Sequence, residues 1–194
     1  RTPGKLIETP LTQDRNQLPQ QIIDTIPDVN FKKKDSLEDI EYVLVSGLPM
    51  SGKTTMLQYL LQSQITNKPT NTVAIFDVTE FSSLNGISLP NDTNYLNIND
   101  IMVDPKVMEE HLLQMDKSNV SVVTGSPDLT PEFMRLSEAA YKNTNFYPDK
   151  IFILSDIQNT KVLDMSRVSR AIICTPPNKK HLGRTLTQMK TNLI

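Results

Sequence analysis

Tyr42-Val43-Leu44-Val45-Ser46-Gly47-Leu48-Pro49-Met50-Ser51-Gly52-Lys53-Thr54-Thr55-Met56-Leu57-Gln58-Tyr59-Leu60-Leu61 is the stretch on which the fold turns. It opens as a short β-type apolar run, Tyr42 to Ser46, and closes as a helix-forming run from Thr55. Between them Gly47 to Thr54 spells a complete G-x-x-x-x-G-K-[ST] phosphate loop. A strand that turns sharply into a helix aims successive backbone N–H groups at one point and sets the positive helix end behind them. Gly47 and Gly52 allow the tight turn and the close approach of backbone to an anion. Lys53 reaches the β- and γ-phosphates, and the Thr54 hydroxyl is a ligand for Mg²⁺. The candidate nucleotide-binding set is Gly47, Pro49, Met50, Ser51, Gly52, Lys53, Thr54 and Thr55.

Composition narrows the classes around that loop. The 194 residues suit one domain, with an extended arm over residues 1–17, large enough to bury a core. No run approaches the roughly 18–20 apolar residues of a membrane-spanning helix. Cys174 is the only cysteine, and with only His111 and His181 beside it no Cys/His zinc spacing arises. A net charge of −2 argues against a general nucleic-acid binder, and Lys32-Lys33-Lys34 reads as a solvated turn. The compartment expected is the cytoplasm. His111 and His181 read as surface residues, and Cys174 as a core residue rather than a nucleophile.

Away from the loop, strand and helix patterns alternate. Leu18 to Ile26 has helical spacing ended by Pro27, and Asp35 to Glu41 turns into the first strand. Thr72 to Asp77 reads as a buried strand ending in an acid, and residues 82–100 as a loop rich in Asn, Ser, Pro and Asp. Pro105 to Met115 predicts a helix, Val120 to Thr124 a strand, and Thr130 to Asn143 a helix opened by Pro131-Glu132. Lys150 to Leu154 predicts a strand that stops at Ser155-Asp156. A short helix at Asp164 to Val168, a strand at Ala171 to Cys174 and a helix from Lys180 to Leu193 complete the chain. Such alternation predicts a parallel α/β sheet with ligands at the carboxyl ends of its strands.

Taken in this order, the elements resemble the cytoplasmic kinase domain of the bacterial tyrosine kinases of capsular and exopolysaccharide synthesis. That family belongs to the wider MinD/ParA-like group of phosphate-loop proteins. Ser46 to Thr54 resembles the family's S-x-x-P-G-x-G-K-[ST] loop, and Val73 to Asp77 its second acidic strand. Asn119 to Phe133 is similar to the family's strand followed by G-x-x-P-P-N-P-x-E-L. Tyr147 to Leu154 resembles the Walker B strand, and Ser169 to Leu193 the last strand and helix. Lys5 to Pro10 and Phe31 resemble the segment around the family's first helix.

The resemblance implies a three-layer α/β/α sandwich with a mainly parallel central sheet, binding ATP with Mg²⁺. It implies catalytic roles for Lys53 and Asp77, a metal shell drawn from Thr54, Asp77 and Asp156, and phosphoryl transfer to tyrosine. The implied partner is a membrane-anchored chain-length or activator protein of polysaccharide export, which would recruit the chain to the inner face of the cell membrane without direct insertion. Several positions depart from the pattern. The family's Asp-x-Asp reads Asp77-Val78-Thr79. Residue counting puts Ser155 rather than Asp156 under the Walker B Asp, and a one-residue shift that rescued Asp156 would change the strand's face alternation. The E-x-x-R-x-x-R motif of ring-forming relatives falls on Gln20, Ile23 and Ile26, so no ring built through it is expected. The tyrosine-rich tail has no counterpart, and the five tyrosines are scattered.

Three functions are therefore in play. One is an ATP-dependent tyrosine autokinase. Another is a catalytically degenerate relative that acts as a nucleotide-binding or interaction scaffold. The third, a MinD/ParA-like partition ATPase, is disfavoured because its signature loop lysine is Leu48 here. Asp77 and Asp156 each follow an apolar strand, where a carboxylate either faces the phosphates or caps a turn.

Overall fold

Near-continuous apolar strands need cover on both faces, and that requirement shapes the molecule. The computed structural model describes residues 36–67, 72–79, 84–114, 120–176 and 178–192. The N-terminal arm, the helix expected at Leu18 to Ile26 and the Lys32 to Lys34 run lie outside the described residues. In chain order the elements are β1 (Glu41–Gly47), α1 (Lys53–Asn67), β2 (Val73–Asp77), β3 (Asn94–Asn97), α2 (Ile98–Val103) and α3 (Lys106–Gln114). Then follow β4 (Val120–Thr124), α4 (Thr130–Thr144), β5 (Lys150–Asp156), β6 (Val168–Cys174) and α5 (Lys179–Asn192).

The six strands form one sheet in the order β3-β4-β2-β5-β1-β6, with every pair parallel. Strand alternation then sorts the side chains. On one face Tyr42, Leu44, Ala74, Phe76, Val123, Ile151 and Ile153 join a core with Ile98 and Ile101 of α2, Met108 and Leu112 of α3, and Phe133 and Tyr141 of α4. Phe76 and Phe133 meet edge to face, their centroids 4.5 Å apart, which seats α4 over β2. The alternate residues Val43, Val45, Val73, Ile75, Phe152 and Leu154 are buried on the other face. There α1, with its buried Leu57, Leu60 and Leu61, packs against β1, β5 and β6. The chain is thus an α/β protein with an all-parallel six-stranded sheet and helices against both faces.

Two local expectations are corrected. The segment 82–100 is not loop throughout, because it holds β3 and the start of α2. β3 is only four residues, Asn-Tyr-Leu-Asn, and its pairing with β4, not its composition, makes it a strand. Asn97 ends that strand and caps α2, its Oδ1 accepting from the Asn99 N–H at 2.8 Å. The helix expected at Asp164 to Val168 is a turn, since Asp164 Oδ1 accepts from both the N–H and the hydroxyl of Ser166. The helical turn in that connection lies earlier, at Ile157–Val162.

Candidate functional site

β1 delivers the chain to Gly47 between the ends of β5 and β6, where Gly47 is in register with Asp156 on one side and Cys174 on the other. A side chain there is sterically excluded. A Cβ on Gly47 would land on the Cys174 carbonyl oxygen and on Ser51 Oγ. The chain then reverses, the Ser51 N–H donating to the Leu48 carbonyl at 3.2 Å, with Pro49 second and Met50 third in the turn. Pro49 suits the second position of a type II turn, and the third demands positive φ. Met50 meets that demand with φ 59°, and Gly52 follows at φ 89°. Lys53 opens α1, and the Met56 N–H donates to the Gly52 carbonyl at 2.9 Å, closing the first helical turn.

Lys53 is buried and folds back over this loop. Its Nζ donates to the Leu48 carbonyl at 2.9 Å and more weakly to the Gly47 carbonyl at 3.5 Å. It also pairs with Asp156 Oδ1 at 2.9 Å, both side chains being 7% exposed. Asp156, not Ser155, is thus the β5 side chain that meets Lys53. Ser46 and Ser155 are in register on the face of the large core, while Gly47 and Asp156 point to the α1 face. Residue counting points to Ser155; its hydroxyl instead donates back to the Asp156 carbonyl at 3.1 Å, on the wrong side of the sheet for Lys53.

Asp77 ends β2 on that same α1 face, because its register partner is Leu154 and the next β5 residue on the face is Asp156. β5 lies between β1 and β2, so Gly47, Asp156 and Asp77 sit at the carboxyl ends of three adjacent strands. Asp77 is 2% exposed. Its Oδ1 accepts from the Thr79 N–H at 3.1 Å and from the Thr79 hydroxyl at 2.6 Å. Thr79, which stands at the second acid of the resembling motif, turns inward onto the first. Thr54 is half-buried and Thr55 exposed in the first turn of α1.

The residues fit a phosphate group better than a resident metal ion. Two positive-φ residues, a glycine that tolerates no side chain and a helix start converge on one turn, and Ser51 Oγ is buried there without a hydrogen-bond partner. Among the described residues no group of three or more His, Cys, Asp or Glu could hold a metal. A magnesium ion at this place would have to arrive with phosphates and find Thr54, Asp156 and Asp77 as its protein ligands.

Other sequence expectations divide. His111 is not a surface residue. It is 6% exposed beneath β4, hydrogen-bonded to Ser121 Oγ, and burial holds it below its ordinary pKa. Its helix presents Met108, His111 and Leu112 to the core, a spacing that a mixed helical face concealed. Cys174 is buried, and burial pushes its thiol up to about 11 against the opposing pull of Lys53, so it is a poor nucleophile. The side chain of His181 and the positions Gln20, Ile23 and Ile26 lie outside the described residues. Met50 stands in the expected binding set, but its left-handed backbone is a finding of the structure. The signal for it is that Met50 falls where the resembling loop motif has a glycine directly after the proline.

No protein-family model, no curated protein and no solved structure matches this chain. Among the described residues no helix is long and apolar enough to cross a membrane.

Proposed function

We propose that this chain binds ATP with Mg²⁺ in the loop Gly47 to Thr55 and serves as a phosphate-loop regulator related to the bacterial tyrosine kinases of polysaccharide export. The observation that carries the reading is the buried Lys53–Asp156 pair at 2.9 Å, placed where β1 turns into α1. A lysine so positioned is a point charge for β- and γ-phosphates, and an adjacent strand-end carboxylate is the usual neighbour of their metal ion. Mg²⁺, when bound, supplies charge neutralisation for the phosphates. Lys53 orients the terminal phosphoryl group, the loop N–H groups hold the anion, and Asp77 and Asp156 set the acidic side of the site. Titration calorimetry tests this directly: Lys53→Ala should weaken ATP binding by about a hundredfold or more, given the strength of charge-assisted contacts. Equal affinity in the two proteins would falsify the proposal.

A specific observation favours slow phosphoryl transfer, and hence a nucleotide-binding scaffold over an efficient kinase. Thr79 stands where the resembling family has an acid and its hydroxyl donates to Asp77, so among the described residues Asp77 is the carboxylate at that strand end, and its Oδ1 is already hydrogen-bonded when a tyrosine hydroxyl would need a proton acceptor. Radiolabel transfer from ATP should be weak in the natural chain, with or without a membrane activator of polysaccharide export, and should rise with Thr79→Asp. Robust tyrosine labelling by the unmodified chain, lost in Lys53→Ala, rejects the scaffold reading and leaves the kinase.

A further inference from the structure

We propose that Asp156 makes phosphate binding at this loop conditional on a divalent cation, by holding Lys53 until the cation engages the carboxylate. The proposal rests on the nucleotide-binding reading above. An ammonium group has three N–H donors. In this structure Lys53 Nζ has three oxygen partners from its own chain: Asp156 Oδ1 at 2.9 Å, the Leu48 carbonyl at 2.9 Å and the Gly47 carbonyl at 3.5 Å. To meet a phosphate it must give up at least one of them. The carbonyl contacts belong to the loop itself and persist with its shape, so the contact to be exchanged is the ionic one.

Breaking that contact without compensation is unfavourable on two counts. Lys53 and Asp156 are both buried, and low local dielectric strengthens their attraction. An incoming phosphate would also meet the released Asp156 carboxylate as a like charge. The structure pairs Lys53 with Asp156, whereas the Oδ1 of Asp77 accepts from both donors of Thr79. A divalent cation removes both obstacles, since it offers Asp156 a partner of higher charge and screens it from the phosphates. The exchange needs only rotation of the long Lys53 side chain. Asp156 itself is anchored at the end of β5 and followed by the fully buried Ile157. Asp156 is therefore a positioning residue whose effect is exerted through Lys53.

Calorimetry of the full chain with ATP, in chelator and in Mg²⁺, tests the idea without any activity measurement. In the natural chain Mg²⁺ should tighten ATP binding by at least about tenfold, the scale of one charge-assisted contact. Asp156→Asn should bind ATP in chelator at least about tenfold more tightly than the natural chain, and Mg²⁺ should then add less than about threefold. A folded Asp156→Asn protein, checked by circular dichroism, that binds metal-free ATP no better than the natural chain overturns the proposal. Asp156→Glu keeps a buried counter-charge for the lysine and supplies the second variant. It should retain the magnesium dependence within about threefold, and loss of that dependence also overturns the proposal, whether or not Asp156→Asn folds. Absence of ATP binding in every protein and condition would defeat the nucleotide reading as well. Binding by all three with one unchanged magnesium dependence defeats this inference alone.

Discussion

A lysine–carboxylate pair lies at each end of the central strands β1 and β5, and the two pairs are built differently. At the amino ends Glu41 and Lys150 are the first residues of the two strands and are in register. Lys150 Nζ lies 3.2 Å from Glu41 Oε2, and Arg170 of β6 lies 3.0 Å from the other oxygen. Both carboxylate oxygens face a cation of the sheet itself. At the carboxyl ends the acid comes from β5 instead of β1, and the lysine comes from a helix and reaches back across a turn containing positive-φ residues. It takes two loop carbonyls as further acceptors, beside a buried serine hydroxyl with no hydrogen-bond partner. The first pair fastens strands whose geometry the ladder already sets. The second holds a loop in a shape that costs free energy, and its lysine can reach other partners by rotating about its own side chain. Burial of an ion pair is thus not what marks a site; the surroundings are.

The strongest challenge to this contrast is at Gly47. Gly47→Ala places a methyl group on the backbone carbonyl of Cys174, which cannot retreat without loosening the β1–β6 ladder. The expected cost is about 3 kcal/mol or more, read from urea denaturation. A variant as stable as the natural chain would show that the loop is not held against β6. Next in size, Glu41→Gln leaves Lys150, 4% exposed, and Arg170 without a counter-charge. About 3 kcal/mol of stability should be lost, while ATP affinity at the distant loop stays within about twofold. A large fall in affinity would mean that the two ends are coupled.

A smaller effect of opposite sign is expected at Met50. Its side chain is 99% exposed and its φ is 59°, so Met50→Gly removes backbone strain without removing packing. The gain should be up to about 1 kcal/mol, the left-handed penalty reduced by glycine's extra freedom in the unfolded chain. A thermal melt at unchanged or lower temperature would refute strain at this turn. The last effect concerns His111, a buried polar group outside both ion pairs. Burial lowers its folded-state pKa from 6.5, so between those two values the unfolded chain binds more protons. The contribution is fully present above 6.5 and is lost as pH falls through that window toward the folded value. Comparing urea midpoints near about pH 7.5 and about pH 5.5, the natural chain should lose up to about 1 kcal/mol more than His111→Gln. Equal slopes would place the acid sensitivity elsewhere.

Much of the architecture was legible locally because the signals are local. An apolar run bounded by Gly47, or by the acid at Asp77, is a buried strand wherever it sits, and Pro131 at the start of α4 has the missing N–H that a first helical turn can spare. The loop motif announced its turn because glycine spacing and a following lysine are sequence facts. Other features depended on pairing. β3 is a strand because β4 runs beside it, and the side chains of Asn94-Tyr95-Leu96-Asn97 alone do not require that. His111 reads as a surface residue because its neighbours on the helix are mixed, and only the position of β4 brings Ser121 against it.

The acid of the site marks the boundary most clearly. From local pattern alone it follows that a G-x-x-x-x-G-K-[ST] segment joins a strand to a helix and that Asp77, Ser155 and Asp156 stand at strand ends. That pattern could not choose between Ser155 and Asp156, because one step along a strand changes the sheet face and nothing local says which face is which. The tertiary structure chose, by aligning Gly47 with Asp156 and laying α1 on that face, so that Lys53 meets the carboxylate rather than the hydroxyl. Motifs are properties of neighbours in sequence, whereas charge pairs across strands follow from register, which only the assembled sheet sets.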